Sequence, residues 1–157
     1  FIESYNYFDM KIFGFDRVVY VQDNHYRLKE GLLISPRFQR FYAQVKLIRV
    51  MSGKVYDVVV DIRPQSPTYL KWTGVLLTED NTRVLFVPKG CANGFLVLSE
   101  RADVMEKLSD FSYPSCEEHI RWDDPHIRIQ WPETENKKKI TEINHNSETF
   151  RGTAAKC

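Results

Sequence analysis

Period-two alternation of apolar and polar residues dominates this chain. Lys46-Leu47-Ile48-Arg49-Val50-Met51 and Val55-Tyr56-Asp57-Val58-Val59-Val60-Asp61-Ile62 read as two strands around a tight Ser52-Gly53 turn. Tyr69 to Leu77 reads as a further strand ended by Glu79-Asp80-Asn81, and Arg83 to Val87 as a short one stopped by Pro88-Lys89-Gly90. Gly94 to Leu98 and Ala102 to Ser109 continue the series, and Val18 to Gln22 and Leu32 to Ser35 precede it. Many short strands separated by closely spaced turns predict an all-β sandwich or barrel, the jelly roll among them. Short helical turns are expected near Tyr5 to Ile12 and at Asp123-Asp124-Pro125, with no long amphipathic helix. Residues 133–157 are polar, include Lys137-Lys138-Lys139, and read as a surface extension.

Composition narrows the function classes. A chain of 157 residues fits one domain with a sizeable core, here residues 1–157. The formal net charge of +1 implies no bulk attraction to nucleic acid or anionic membrane, so neither is an expected partner. No run of about eighteen apolar residues is present to span a bilayer. Cys91, Cys116 and Cys157 are odd in number and contain no CxxC, which points to reduced cysteines in a cytoplasmic protein. No two of His25, His119, His126 and His145 stand with a carboxylate at metal-ligand spacing, so no catalytic metal and no cofactor are expected. His25 reads as structural, and His119 and His126 as solvated in a polar loop. Asp57 and Asp61 fall on one face of one strand and read either as hydrogen-bonded polar groups near the sheet edge or as a catalytic pair.

Several blocks carry a resemblance: Phe1 to Asn6 (FIESYN), Gln22 to His25 (QDNH), Ala43 to Arg49 (AQVKLIR), Asp57 to Thr68 (DVVVDIRPQSPT), Pro88 to Ser99 (PKGCANGFLVLS), Trp122-Asp123-Asp124 and Trp131-Pro132. In this order, over residues 1–145, they resemble the dTDP-4-dehydrorhamnose 3,5-epimerase family. The resemblance implies a cupin-type jelly roll, a nucleotide-linked sugar as ligand, and deoxysugar or surface-polysaccharide biosynthesis as setting. It also implies a further stretch ahead of Phe1, so that the chain is truncated there. Finally, it implies a homodimer in which an N-terminal strand crosses over and Glu3 serves the partner's pocket.

The resemblance places Glu3, Gln22, Asn24, Lys46 and Glu117 at positions that contact the nucleotide or sugar. The residue types suit such contacts. Lys46 offers a point charge, Gln22 and Asn24 offer paired donors and acceptors, and Glu3 and Glu117 offer acceptors. An arginine contact becomes Ile34, a lysine contact becomes Ile143, and a base-stacking aromatic falls on Ser112, between Phe111 and Tyr113.

The chemical half of the family pattern is replaced. Where the family reads RGLHYQ with a base histidine, this chain reads Ile34-Ser35-Pro36-Arg37-Phe38-Gln39. The family's proton-returning tyrosine is Glu106, the histidine of AHGF is Asn93, and the orienting aspartate falls at Asn144. A guanidinium stays protonated and is a very poor base for a proton next to a carbonyl. No standard 3,5-epimerase activity is therefore expected. Three readings stay open. One is a rebuilt isomerase using Glu106 and Lys46, with Arg37 as anion anchor. The second is a non-catalytic nucleotide-sugar binder or partner subunit. The last is a closed pocket held by an Arg37–Glu106 pair.

Overall fold

The structure, a computed structural model, describes residues 1–15, 17–135 and 141–142. After a short helix α1 (Tyr7–Ile12) come β1 (Gln22–Lys29), β2 (Leu32–Gln39), β3 (Lys46–Ser52), β4 (Lys54–Asp61) and β5 (Trp72–Thr78). They are followed by β6 (Val84–Val87), β7 (Cys91–Val97), β8 (Arg101–Leu108), β9 (Glu117–His119) and β10 (Thr141–Glu142). A smaller sheet has the order β1-β8-β3-β6; a larger one runs β10-β2-β7-β4-β5, with β9 added to β2. Two antiparallel-rich sheets packed face to face form the expected cupin-type jelly roll.

The strands carry their facing in their sequence. Along β8, Ala102, Val104, Glu106 and Leu108 are buried; in β3 it is Lys46, Ile48 and Val50 that turn inward. From the larger sheet, Ile34, Val55, Leu77, Phe95 and Val97 meet Ile48, Val50, Ala102 and Val104 in one inter-sheet cluster. The outer face of the larger sheet is covered by the segment after β9, where Ile120, Ile127 and Ile129 join Phe38, Val58, Val60 and Ala92. Inward positions become polar toward one end of the sandwich. Val50 and Ile48 give way to Lys46, Ala102 and Val104 to Glu106, Phe95 to Asn93, and Val55 to Asp57. This gradient produces a dry end and a polar end within one core.

Two local features aim the polar end. Pro36 has no N–H to give to the ladder, and the β2–β7 register shifts between Ile34 and Arg37. That bulge changes the facing of the strand: Ile34 belongs to the inter-sheet cluster, yet beyond the bulge Arg37 faces inward and Phe38 packs outward. Gly94 makes the bulge possible, since a Cβ there would stand 2.3 Å from the Ile34 carbonyl oxygen and 2.5 Å from the Pro36 nitrogen.

Some sequence expectations are corrected. The strand placed at Val18 to Gln22 instead runs from Gln22 to Lys29. Its polar residues hid it: Gln22, Asn24, Tyr26 and Leu28 face inward while Asp23, His25, Arg27 and Lys29 are exposed. The short turns expected around Asp123-Asp124-Pro125 are present, closed by Asp124 N to Arg121 O at 3.1 Å and Arg128 N to Asp124 O at 2.9 Å. Cys91 is a free, buried thiol, and Cys157 lies outside the described residues. Ile143, Asn144, His145 and Lys137-Lys138-Lys139 lie outside the described residues. No helix among the described residues is long and apolar enough to cross a membrane.

Candidate functional site

Four strands deliver the side chains at the polar end. β1 supplies Gln22, Asn24 and Tyr26; β2 supplies Arg37 and Gln39; β3 supplies Lys46; β8 supplies Glu106. The centre is the Glu106 carboxylate, 3% exposed. Its Oε1 lies 3.2 Å from Lys46 Nζ. Its Oε2 accepts from Arg37 Nη2 at 3.0 Å, Asn24 Nδ2 at 3.1 Å and the Tyr26 hydroxyl at 2.9 Å. Arg37 Nη2 also donates to the Tyr26 oxygen, and its guanidinium carbon sits 5.4 Å from the Tyr26 ring centre. Gln22 Nε2 donates to Asn24 Oδ1 at 2.8 Å, holding the amide that reaches Glu106.

Charge follows from this geometry. Burial alone would raise the Glu106 carboxyl, but Lys46 and Arg37, helped by Asn24 and Tyr26, bring it down to about 2. Glu106 is thus a firmly ionised carboxylate at neutral pH, a poor base and no acid. Arg37 loses hydration, yet Glu106, Tyr26 and Glu117 more than offset this and fix it as a cation. Lys46 is pulled down from its ordinary value by burial, against the attraction of Glu106. Both groups are lowered, which favours the charged form of Glu106 and disfavours that of Lys46, because Glu106 is attracted by two cations whereas Lys46 is buried and shares one carboxylate with Arg37. Burial first, then the Glu106 charge, raises the Tyr26 phenol above its usual value, so Tyr26 keeps its proton.

A second acidic position adjoins the cluster. Glu117 Oε2 lies 3.7 Å from Arg37 Nη1, and its Oε1 lies 3.1 Å from His119 Nε2. Burial opposes the Glu117 charge, but His119 and Arg37 prevail and its carboxyl is lowered. His119 stands opposite Arg37 in the β2–β9 register and is not the solvated loop residue the sequence suggested. Deeper in the larger sheet, Asn93 Nδ2 donates to Asp57 Oδ1 at 2.5 Å and to the Val58 carbonyl at 3.2 Å. Burial pushes the fully enclosed Asp57 carboxyl well above its usual range, and its Oδ2 has no hydrogen-bond partner among the described residues.

The two aspartates of β4 therefore part company. Asp61 organises the loop after its strand, accepting from Arg63 N and Nε, Arg63 Nη2, Ser66 Oγ and Thr68 Oγ1 at 2.5–3.0 Å. Those donors, Arg63 foremost, hold its carboxyl well below the usual range. The DIRPQSPT block is accounted for by this loop.

At the mouth, glutamines pin the segment after β8. Gln39 Nε2 donates to the carbonyls of Tyr42 and Phe111 at 3.0 and 3.1 Å, and its Oε1 accepts from Tyr113 N at 2.6 Å. Gln22 Oε1 accepts from Ser112 N at 3.0 Å. Phe111, Tyr113 and Tyr42 are left exposed there, with Tyr42 and Tyr113 rings 4.8 Å apart.

The structure thus brings Arg37, Glu106, Lys46, Asn24 and Glu117 together, with Gln22 linked through Asn24 and Asn93 one layer away beside Asp57. Glu3 stands apart: it is exposed and accepts from Asn6, whose side chain caps α1 through Phe8 N at 2.8 Å. His25 lies on the outer face, 3.3 Å from Asp103. Tyr26 is the residue sequence reasoning missed, although its period-two relation to Asn24 places it on the same face. Among the described residues no group of three or more His, Cys, Asp or Glu side chains could hold a metal ion.

A jelly roll with buried charged and amide side chains gathered at one end of its core places the chain among the cupins. Solved structures of this kind align along nearly the whole chain. The dTDP-6-deoxy-D-glucose-3,5-epimerase of Legionella pneumophila, in complex with dTDP-4-keto-L-rhamnose, superposes with a TM-score of 0.85 and 38% identity, covering 90% of this chain and 74% of that one. A Mycobacterium tuberculosis epimerase superposes at 0.87 with 31% identity, covering 93% and 73%. The dTDP-4-dehydrorhamnose 3,5-epimerase of Escherichia coli K12 is 46% identical over 136 residues, 85% of this chain and 73% of its own length. The family profile for dTDP-4-dehydrorhamnose 3,5-epimerase matches residues 1–151. The chain belongs to this family.

Proposed function

We propose that this chain is a non-catalytic, nucleotide-binding member of the family, a binding or partner subunit in deoxysugar biosynthesis that does not perform 3,5-epimerisation. One observation carries this reading: Glu106 is saturated by Lys46, Arg37, Asn24 and Tyr26. Epimerisation next to a carbonyl requires a base on one face and a proton donor on the other, each with a pKa near the working pH. Arg37 cannot accept a proton, Glu106 holds no proton to return, and Tyr26 has its hydroxyl engaged on both sides. Gln22, Asn24, Lys46 and Glu117 retain the chemistry of a cradle for phosphates and hydroxyls. A relative from Legionella binds dTDP-4-keto-L-rhamnose, and one from Bacillus anthracis binds TDP, which supports a nucleoside diphosphate as ligand here.

The assembly we propose is a homodimer in the cytoplasm. Phe1, Ile2, Phe8, Ile12 and Phe13 are each exposed on the N-terminal segment, and exposed apolar side chains close in sequence are what a protein–protein contact would cover.

The test is paired. Calorimetry with dTDP, UDP, CDP and GDP should give saturable binding for at least one. Incubation with a dTDP-4-keto-6-deoxyhexose in deuterated water should leave the sugar carbons unlabelled. Deuterium incorporation above the protein-free control would overturn the non-catalytic reading, and no binding in the panel would overturn the nucleotide reading.

A further inference from the structure

A ligand that carries a hexose needs space beside the groups that would hold it, and the polar end offers almost none. Tyr26, Arg37, Lys46 and Glu106 arrive from four strands and close on one another. The Glu106 side chain is 3% exposed, that of Lys46 5% and that of Arg37 15%. The Tyr26 ring is wedged between the Arg37 guanidinium, 5.4 Å from its centre, and Phe95, with ring centres 5.9 Å apart. The cavity beside Lys46, Gln39 and Cys91 measures about 10 Å³, barely the space of one water. Pockets that enclose small organic ligands start near about 300 Å³.

The plug is braced from every side. Tyr26 is hydrogen-bonded through its oxygen to Glu106 and Arg37. Glu106 is tied to Asn24, Asn24 to Gln22, and Arg37 to Glu117. Displacing one member strands a buried charge on another, so a neutral sugar ring has little to offer in exchange. The mouth differs, because Phe111, Tyr113 and Tyr42 remain exposed around the segment held by Gln39 and Gln22.

We infer that Tyr26, Arg37 and Glu106 form a specificity plug that excludes a pyranose, so that the ligand is a nucleoside diphosphate without an appended hexose. This rests on the nucleotide-binding reading given above. Tyr26 is the key side chain: its ring fills the space, and its hydroxyl completes the contact between Arg37 and Glu106.

The experiment compares dTDP, UDP, CDP and GDP with their glucose conjugates by calorimetry on the whole chain. The best-bound diphosphate is expected to bind at least about tenfold more tightly than its own conjugate. In Tyr26→Ser, with the fold checked by circular dichroism, that gap should shrink several-fold, while Tyr26→Phe, which keeps the ring, should preserve it. A conjugate bound as tightly as its diphosphate by the unaltered chain overturns the plug but leaves the nucleotide reading standing. If no diphosphate binds, both fall. A preference that survives Tyr26→Ser unchanged removes Tyr26 from the role. Should that variant not fold, the unaltered chain's preference and its retention in Tyr26→Phe decide the matter.

Discussion

Arg37 Nη2 meets Glu106 Oε2 at 3.0 Å across the space between the two sheets, β2 on one side and β8 on the other. The residues are 69 positions apart in sequence, and each is inward-facing for its own local reason: a bulge in one strand, plain alternation in the other. Their pairing makes the polar end a charge-balanced core and not an open basin.

Removing the carboxylate should expose that balance. In Glu106→Gln, Lys46 and Arg37 remain buried without their shared counter-ion, and breaking such a pair from one side costs about 3–5 kcal/mol. Urea denaturation should show the loss. Replacing Arg37, Lys46 and Glu106 together with Met, Met and Leu should recover most of it, and a triple variant weaker than the single one would contradict this account.

Acid should act through the same group. The Glu106 carboxyl is lowered to about 2 in the fold, against roughly 4.3 in an unfolded chain. A depressed carboxylate contributes stability that is present above its unfolded value and lost as pH falls through its folded one. The contribution is on the order of 3 kcal/mol. Thermal melts should therefore fall between about pH 4 and pH 2, and Glu106→Gln should flatten that portion of the profile.

Asp57 should act in the reverse sense. Burial raises its carboxyl well above the ordinary range, so the fold favours the protonated form and loses stability as pH rises through that raised value. Asp57→Asn keeps an oxygen to accept from Asn93 and cannot ionise. Its melting temperature should decline less than that of the unaltered chain as pH rises from acid toward neutral and beyond. Parallel declines would show that Asp57 is ionised within the fold.

Asp61 should prove to be architecture. Its carboxylate takes hydrogen bonds from Arg63, Ser66 and Thr68, and loss of a charged acceptor of this kind costs about 2 kcal/mol. Asp61→Ala should lower stability by about that much and speed proteolysis between β4 and β5, with nucleotide affinity measured on the folded fraction unchanged.

The N-terminal segment is expected to hold two copies together. Phe8 is 71% and Phe13 70% exposed. Changing both to Asp should convert a dimer to a monomer in light-scattering chromatography; a monomeric unaltered chain would remove the proposal.

Most strands were legible in the sequence because half-buried strands write their facing in alternate residues, as Arg101 to Leu108 does. The strand at Gln22 to Lys29 was not, because its inward face is mainly polar and lines the site. Composition reads such a segment as loop, although its alternation is intact. The meeting of Arg37 with Glu106 was foreseeable from the two positions changing together. Tyr26 was not, since its importance comes from the strand pairing that sets Asn24 beside Glu106. His119 was misplaced because the three residues of β9 are too short to announce a strand and acquire their facing only by pairing with Arg37, Phe38 and Gln39.

The extra residue in β2 has one more consequence. In a regular ladder, losing one residue turns every later side chain to the opposite face. Between Ile34 and Arg37 the strand already carries one residue more than its partner requires. A deletion of Pro36 would let the ladder close regularly and still leave Arg37 and Gln39 pointing inward. Chain length and site orientation are uncoupled at this one place, so it is where the strand can be shortened without rewriting what lies inside the sandwich.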